Sequence, residues 1–258
     1  MKQTIVVKIG GRVVEPGGAP ALARDIGSLV ACGLRVVVVH GGGTQISAAL
    51  AGTGREPRFI DGLRVTSPDD IALLREAMLS INAELVQRLT AANVRAVGLA
   101  GDEDNLLQAE VERHDLGLVG RITSVDGSAL CVLLDNGVTP VVAAMGAGPN
   151  GTLNVNADTA AAAVATALQA EKLIVLSDVS GIYEEIGQPD TRMARPESGQ
   201  LQSLLEKGAL SGGMVPKVTA LLAAINGGVG SVSIVDGRSP GAALRAAFGL
   251  AEGTEVVA

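Results

Sequence analysis

The sequence predicts an α/β protein built on a mostly parallel, open central sheet with helices packed on both faces. Strand-like and helix-like stretches alternate along nearly all 258 residues. The strands read as continuous apolar runs, the pattern of strands buried on both faces of a parallel sheet. Composition agrees. Hydrophobic residues make up 47% of the chain but aromatics only 1%, with no Trp, so Val, Leu, Ile and Ala must fill the core. A chain of this length buries a large core as one big domain or as two lobes sharing a sheet.

Element by element, Ile5 to Ile9 is the first strand, and Pro20 to Cys32 reads as a helix with its proline at the tolerated first position. "RVVVVH", Arg35 to His40, is a buried parallel strand, followed by a glycine run and a helix through Ile46 to Leu50. The longest helical stretch starts after Ser67, its N-cap, with Pro68 as first residue and Asp69 and Asp70 suiting the positive end of its dipole. The strand Ala96 to Gly101 leads into a polar, alternating stretch that reads as hairpins to Val125. A helix across Ser128 to Leu134 feeds the strand Thr139 to Met145, and "GAGPNGT", Gly146 to Thr152, has the composition of a hairpin turn.

The second half opens with an Ala-rich helix, Asp158 to Ala170, and the strand Lys172 to Asp178. A helix after Pro196, another from Met214 to Ile225, the strand Ser231 to Gly237, a short helix and a final "TEVV" strand complete the alternation.

Charge and cysteine usage narrow the function. A net charge of −7 argues against a general nucleic-acid surface, while leaving room for an anionic substrate at a local site. Cys32 and Cys131 show no CxxC or metal-type spacing and read as small buried hydrophobes. Met1 to Thr4 runs straight into a strand, and no apolar stretch approaches the ~20 residues that span a bilayer. The expectation is a soluble, cytoplasmic protein with no membrane partner.

Ligands of open parallel sheets bind beyond the carboxyl ends of the strands. Two strands end there in glycine loops, "KIGGR" (Lys8 to Arg12) and "HGGG" (His40 to Gly43). Lacking Cβ atoms, such loops let backbone N–H groups approach an anion, and a following helix N-terminus adds positive partial charge. Neither loop is a GxxxxGK[ST] or GxGxxG fingerprint, which sets aside a P-loop enzyme and a dinucleotide fold. A lysine at a buried strand end, Lys8, must be paired or used. "GGMVPK" puts Lys217 in the first turn of a helix, misplaced against the dipole unless an anion sits there. "LNVNAD" sets Asn154, Asn156 and Asp158 at alternate positions before the Ala-rich helix, where Asn156 or Asp158 also suits an ordinary helix cap, and "DGLRVT" places Arg64 in a turn, which by itself fits a solvated surface arginine as well as a bidentate carboxylate clamp. The two histidines, His40 and His114, are too few and too far apart for a metal site, and His40 reads as support for its loop.

Taken in order, "KIGG", "HGGG", "DGLRVT", "NVNAD", "LSDVSGIY" and "GGMVPK" resemble the amino acid kinase family from Lys8 to about Gly237. The likeness is greatest to its branch acting on the side-chain carboxylate of N-acetyl-L-glutamate. The resemblance implies a three-layer αβα sandwich, with an N-terminal lobe (about 1–150) for the acyl substrate and dimerisation and a C-terminal lobe (about 151–258) for ATP.

It further implies that Lys8 and Lys217 stabilise the transferring phosphoryl group and that Asp158 holds both lysines. Gly10 and Gly11 would face the phosphates, Gly42 and Gly43 the substrate side, and Arg64 and Asn154 the substrate carboxylates. Asp178, Val179, Ser180, Gly181, Ile182 and Tyr183, with Ala209, Leu210 and Ser211, would line the nucleotide site. ATP with Mg²⁺ is the implied co-substrate, with no separate metal site. The tail "SPGAALRAAFGLAEGTEVVA" and the start close to the first strand suggest an arginine-insensitive homodimer. Two readings stay beside this one: a sister kinase acting on carrier-linked aminoadipate or glutamate, and a nucleotide-binding regulator without activity.

Overall fold

The computed structural model describes residues 2–10, 19–185, 188–210 and 212–257. The strand β1 (Thr4–Ile9) is buried along its whole length and lies at the centre of the sheet. Helix α1 (Ala19–Ala31) covers it with Leu22, Ala23, Ile26 and Leu29, a helical spacing of apolar residues. β2 (Arg35–His40) pairs with β1 in parallel and runs into α2 (Gly43–Gly52). That helix begins at the glycine run itself, three residues earlier than its apolar residues suggest.

Between α2 and the long helix, a two-residue-per-strand hairpin forms from β3 (Phe59–Ile60) and β4 (Leu63–Arg64), where the sequence suggested only a turn. Asp61 and Gly62 at its tip both have positive φ, 51° and 81°, which Gly62 accommodates without a Cβ. Helix α3 (Pro68–Ala91) starts as expected, with the Ser67 hydroxyl donating to the Asp70 carboxylate at 2.6 Å. β5 (Ala96–Ala100), β6 (Leu107–Val111), β7 (Val119–Val125), α4 (Ser128–Asp135) and β8 (Thr139–Ala143) follow. The expected strand to Met145 divides at Ala144, and β9 (Met145–Gly148) forms a hairpin with β10 (Gly151–Val155). Helix α5 (Ala157–Ala167), β11 (Lys172–Ser177), α6 (Ser198–Glu206), α7 (Met214–Asn226), β12 (Ser231–Asp236), α8 (Ala242–Ala247) and β13 (Gly253–Val256) complete the chain.

Seven strands form the main sheet in the order β13-β12-β11-β1-β2-β8-β5, parallel throughout except for β13. Its two faces carry separate cores. Val6, Val37, Val39, Val142, Leu173 and Val175 pack under α5 and α7 on one side. Ile5, Val7, Ile9, Val38 and Ile174 pack under α1, α8 and the C-terminal half of α3 on the other. The αβα sandwich is therefore the consequence of strands apolar on both faces. The hairpin stretch to Val125 closes with β9 and β10 into a four-stranded barrel, β10-β7-β6-β9, that stands apart from the sheet. Two of its pairings are parallel and join strands distant in sequence, which local pattern does not encode.

Both cysteines are exposed, contrary to the sequence reading. Cys32 follows the last residue of α1, and Cys131 lies on the outer side of α4, whose buried residues are Leu130 and Leu134. Apolar neighbours in sequence do not set which face of a helix a residue occupies. Among the described residues, no helix is long and apolar enough to cross a membrane.

Candidate active site

The carboxyl ends of β1, β2 and β11 open on one side of the sheet, and two adjoining cavities of about 440 Å³ and about 240 Å³ lie there. Both are lined by Lys8, Gly10, Gly43, Phe59 and Arg64. Lys8 is the fifth residue of β1, flanked in register by Val39 and Val175, so its stem runs through packed aliphatics and only its ammonium reaches the opening. There it meets Asp158 in the first turn of α5, with Lys8 Nζ 2.8 Å from Asp158 Oδ1. Lys217, in the first turn of α7, donates from Nζ to Asp158 Oδ2 at 2.9 Å. One buried carboxylate thus holds two buried ammonium groups, one on each oxygen.

The electrostatics follow from that arrangement. Burial alone would push the Asp158 carboxyl up, but Lys8 and Lys217 outweigh it and hold the group at about 2. Burial lowers the Lys8 ammonium, partly offset by Asp158 and reinforced by Lys217. The trio carries a net charge of +1. Two helix N-termini add to it: α2 begins at Gly43, and α5 begins beside Asn156, whose Oδ1 accepts from the N–H groups of Asp158 (2.8 Å) and Thr159 (3.2 Å).

The smaller cavity is where the expected acyl-substrate residues meet. Arg64, Asn154, Gly42 and Gly43 all line it, as do Gly41, Met78 and Val155. Arg64 Nη2 donates to the Gly43 carbonyl (2.8 Å) and the Ser47 hydroxyl (2.7 Å), while its buried Nη1 has no hydrogen-bond partner among the described residues. The half-exposed Phe59 ring lies 4.7 Å from the guanidinium carbon, across the β3–β4 pair. Asn154 Nδ2 donates to the Thr66 hydroxyl at 2.9 Å. A Cβ on Gly42 would come within 2.9 Å of both Ile81 and Met78 side chains, so only glycine lets the loop sit this close to α3. The hairpin tip reaches across the opening: a Cβ on Gly62 would lie 3.1 Å from the Gly212 carbonyl oxygen and 3.2 Å from Pro216. The element that carries Arg64 thereby packs against the start of the helix that carries Lys217.

The larger cavity takes Ser177 and Asp178 at the end of β11, together with Thr44 and Ser47. Other residues expected at a nucleotide site are dispersed. Ser180 lines a separate opening of about 410 Å³ with Asp236, Ser239 and Arg245. Ile182 is fully buried, with its N–H donating to the Thr254 hydroxyl at 2.8 Å. Gly181 packs against that same hydroxyl, Tyr183 pairs with Arg192, and Val179 and Leu210 pack in the core beside a half-buried Ala209. Gly11, Arg12 and Ser211 lie outside the described residues. Ser47, Phe59 and Thr66 were missed in sequence. Phe59 left a trace there, as one of only three aromatic residues in the chain. Among the described residues no group of three His, Cys, Asp or Glu side chains could hold a metal ion.

His40 lies behind the glycine loop, fully buried. Burial lowers its pKa to about 4, against a smaller upward pull from the Gly41 carbonyl. The unfolded imidazole titrates near 6.5 and binds protons that the folded one refuses. The resulting stability is complete above pH about 6.5 and is lost as pH falls toward about 4. Thermal melts across that window should decline in the wild type and flatten in His40→Asn.

A model of the amino acid kinase family matches residues 3–236 of the chain. The chain is 40% identical over 254 residues to the acetylglutamate kinase of Methanothermobacter thermautotrophicus, covering 92% of this chain and 87% of that one. It is 42% identical over 260 residues to the acetylglutamate kinase of Acidothermus cellulolyticus, covering 95% and 87%. Among solved structures, N-acetylglutamate synthase from Neisseria gonorrhoeae, complexed with coenzyme A and N-acetyl-glutamate, matches with a TM-score of 0.85 at 30% identity. That match covers 99% of this chain and 59% of the longer synthase. Carbamate kinase from Giardia lamblia shares the fold, with a TM-score of 0.76 at 17% identity over 99% of this chain and 98% of that one.

Proposed function

The chain belongs to the amino acid kinase family, and from that premise we propose that it transfers the γ-phosphoryl group of ATP to the side-chain carboxylate of N-acetyl-L-glutamate. The product is N-acetyl-L-glutamyl 5-phosphate, and the step belongs to arginine biosynthesis. One observation carries the chemistry: two ammonium groups held on one buried aspartate between two adjoining cavities.

Phosphoryl transfer asks little covalent work of a protein, only in-line positioning and positive charge on the moving oxygens. Lys8 and Lys217 supply that charge, one from each oxygen of Asp158, which sets their spacing without cancelling it. The acceptor is already ionised at neutral pH, so no base need take a proton. In this reading the smaller cavity receives the acyl substrate, with Arg64 and Asn154 on its carboxylates and the loop from Gly41 to Gly43 at the reacting end. The larger cavity receives the phosphates of MgATP, passing Gly10 and Asp178, with the metal carried by the phosphates and water. The proposal carries with it an acyl substrate over the N-terminal half of the sheet and a nucleotide over the C-terminal half. A homodimer joined through the N-terminal half belongs to the same proposal, and light scattering should return twice the mass of 25.9 kDa.

An ADP-release assay with MgATP and N-acetyl-L-glutamate, beside L-glutamate and N-acetyl-aminoadipate, tests the reading. Turnover with the first acceptor alone supports it. Silence with every free acid, with turnover on a carrier-linked substrate or nucleotide binding alone, would replace it. Arg64→Lys should raise the acceptor KM by about tenfold and that of ATP by less, because a point charge cannot hold the Gly43 carbonyl and the Ser47 hydroxyl with one arm of a planar fork and leave the other arm for the substrate.

A further inference from the structure

The glycine loop is oriented by a chain of hydrogen bonds that begins on helix α3, forty residues away in sequence. Asn82 and His40 are both buried. Asn82 Nδ2 lies 2.8 Å from the Val141 carbonyl oxygen and 3.0 Å from His40 Nε2, and His40 Nδ1 lies 3.2 Å from the Gly41 carbonyl oxygen.

Both ends of this chain are backbone carbonyls, which only accept. Val141 therefore fixes the amide nitrogen of Asn82 toward itself. Its second hydrogen must then go to His40 Nε2, so that nitrogen is the acceptor and the ring proton sits on Nδ1. Among the described residues the Nδ1 proton has one partner in reach, the Gly41 carbonyl. The opposite tautomer would set N–H against N–H at one end and lone pair against lone pair at the other, and an imidazolium would repeat the first conflict.

We infer that Asn82 and His40 are positioning residues, with Asn82 selecting the Nδ1–H tautomer of His40 and His40 turning the Gly41–Gly42 peptide so that its N–H faces the cavity. The carbonyl and N–H of one trans peptide point in opposite directions, so tying the Gly41 oxygen back to the imidazole turns the Gly42 N–H the other way. The next two carbonyls are held likewise. The Gly42 oxygen accepts from Ile46 N–H at 2.7 Å, and the Gly43 oxygen from Arg64. The consequence is a row of N–H groups, from Gly42 to Thr44, presented to an anion beside Lys8. Gly98 on β5 makes room for the arrangement, since a Cβ there would fall 2.0 Å from Asn82 Oδ1. What the loop binds rests on the transferase reading; the tautomer and the loop's orientation do not.

Two measurements on the whole protein test this. The chain has only two histidines, one buried and one exposed, so long-range ¹H–¹⁵N spectra separate their signals. His40 should show a protonated Nδ1 and a bare Nε2, unchanged from pH 8 to 5.5. A protonated Nε2 at pH 7 would overturn the proposal. His40→Asn keeps a donor near the Nδ1 position and His40→Gln moves it toward Nε2. The Gly42 and Gly43 amide resonances should stay near their wild-type positions in the first and shift in the second. kcat/KM for the acceptor should be about tenfold higher in the Asn than in the Gln variant, the worth of a well-placed hydrogen bond. Equal amide shifts in the two variants would leave His40 as packing alone and overturn the positioning role. If no acceptor is turned over, the transferase reading fails while the spectra still decide this one.

Discussion

Lys8→Arg should lower kcat by about 10²–10³-fold, the scale seen when one preorganised charge on a transition state is removed. The charge itself survives this change, so the ion pair with Asp158 can persist and the fold should melt within a few degrees of wild type. What fails is geometry. The Lys8 stem occupies a slot between Val39 and Val175, and its Nζ rests 2.8 Å from Asp158. A longer side chain ending in a planar fork cannot place a compact charge at that point. Single-turnover kinetics with saturating MgATP and acceptor give the comparison. A near-normal kcat would remove Lys8 from the transfer step.

Asp158→Asn should cost stability as well as turnover. Without its carboxylate, two buried ammonium groups face each other, and uncompensated buried charge of this kind costs about 3–5 kcal/mol. For a chain of this size that corresponds to a fall in Tm on the order of 10 °C. Lys8, already lowered by burial, loses its largest upward pull and sheds its proton more readily. The pH dependence has a definite sign. Because Asp158 in the folded protein is held at about 2, below the usual 3.8, its stabilisation is full above pH about 4 and is lost as pH falls through about 2. The melting curves of wild type and variant should therefore converge between those values. A constant gap down to pH 2 would mean that the carboxylate charge is not what holds the lysines.

The degree to which the fold was legible in the sequence differs by element. The parallel sheet was readable because strands such as Arg35 to His40 are apolar at successive positions, which only burial on both faces explains. Ser67 and Pro68 marked the start of α3 to the residue, since capping chemistry is local. The β3–β4 hairpin was not readable, because two-residue strands have no periodicity. Nor was the exposure of Cys32 and Cys131, which depends on where a helix ends and which way it faces.

The candidate site divides along the same line. By itself the sequence determined which groups are available: lysines beside glycine pairs at Lys8 and Lys217, an acid at Asp158, an arginine at Arg64 and two glycine loops at strand ends. Each is set by short-range chemistry, a charge at the end of a buried strand or a cation at a helix N-terminus. Only the tertiary structure decided who meets whom. Lys217 reaches Asp158 across 59 positions and Asn82 reaches His40 across 42, because parallel strands require long crossovers that bring distant segments to one edge of the sheet. Those encounters follow from strand order and helix packing, which are properties of the whole core and are written in no single stretch of the chain.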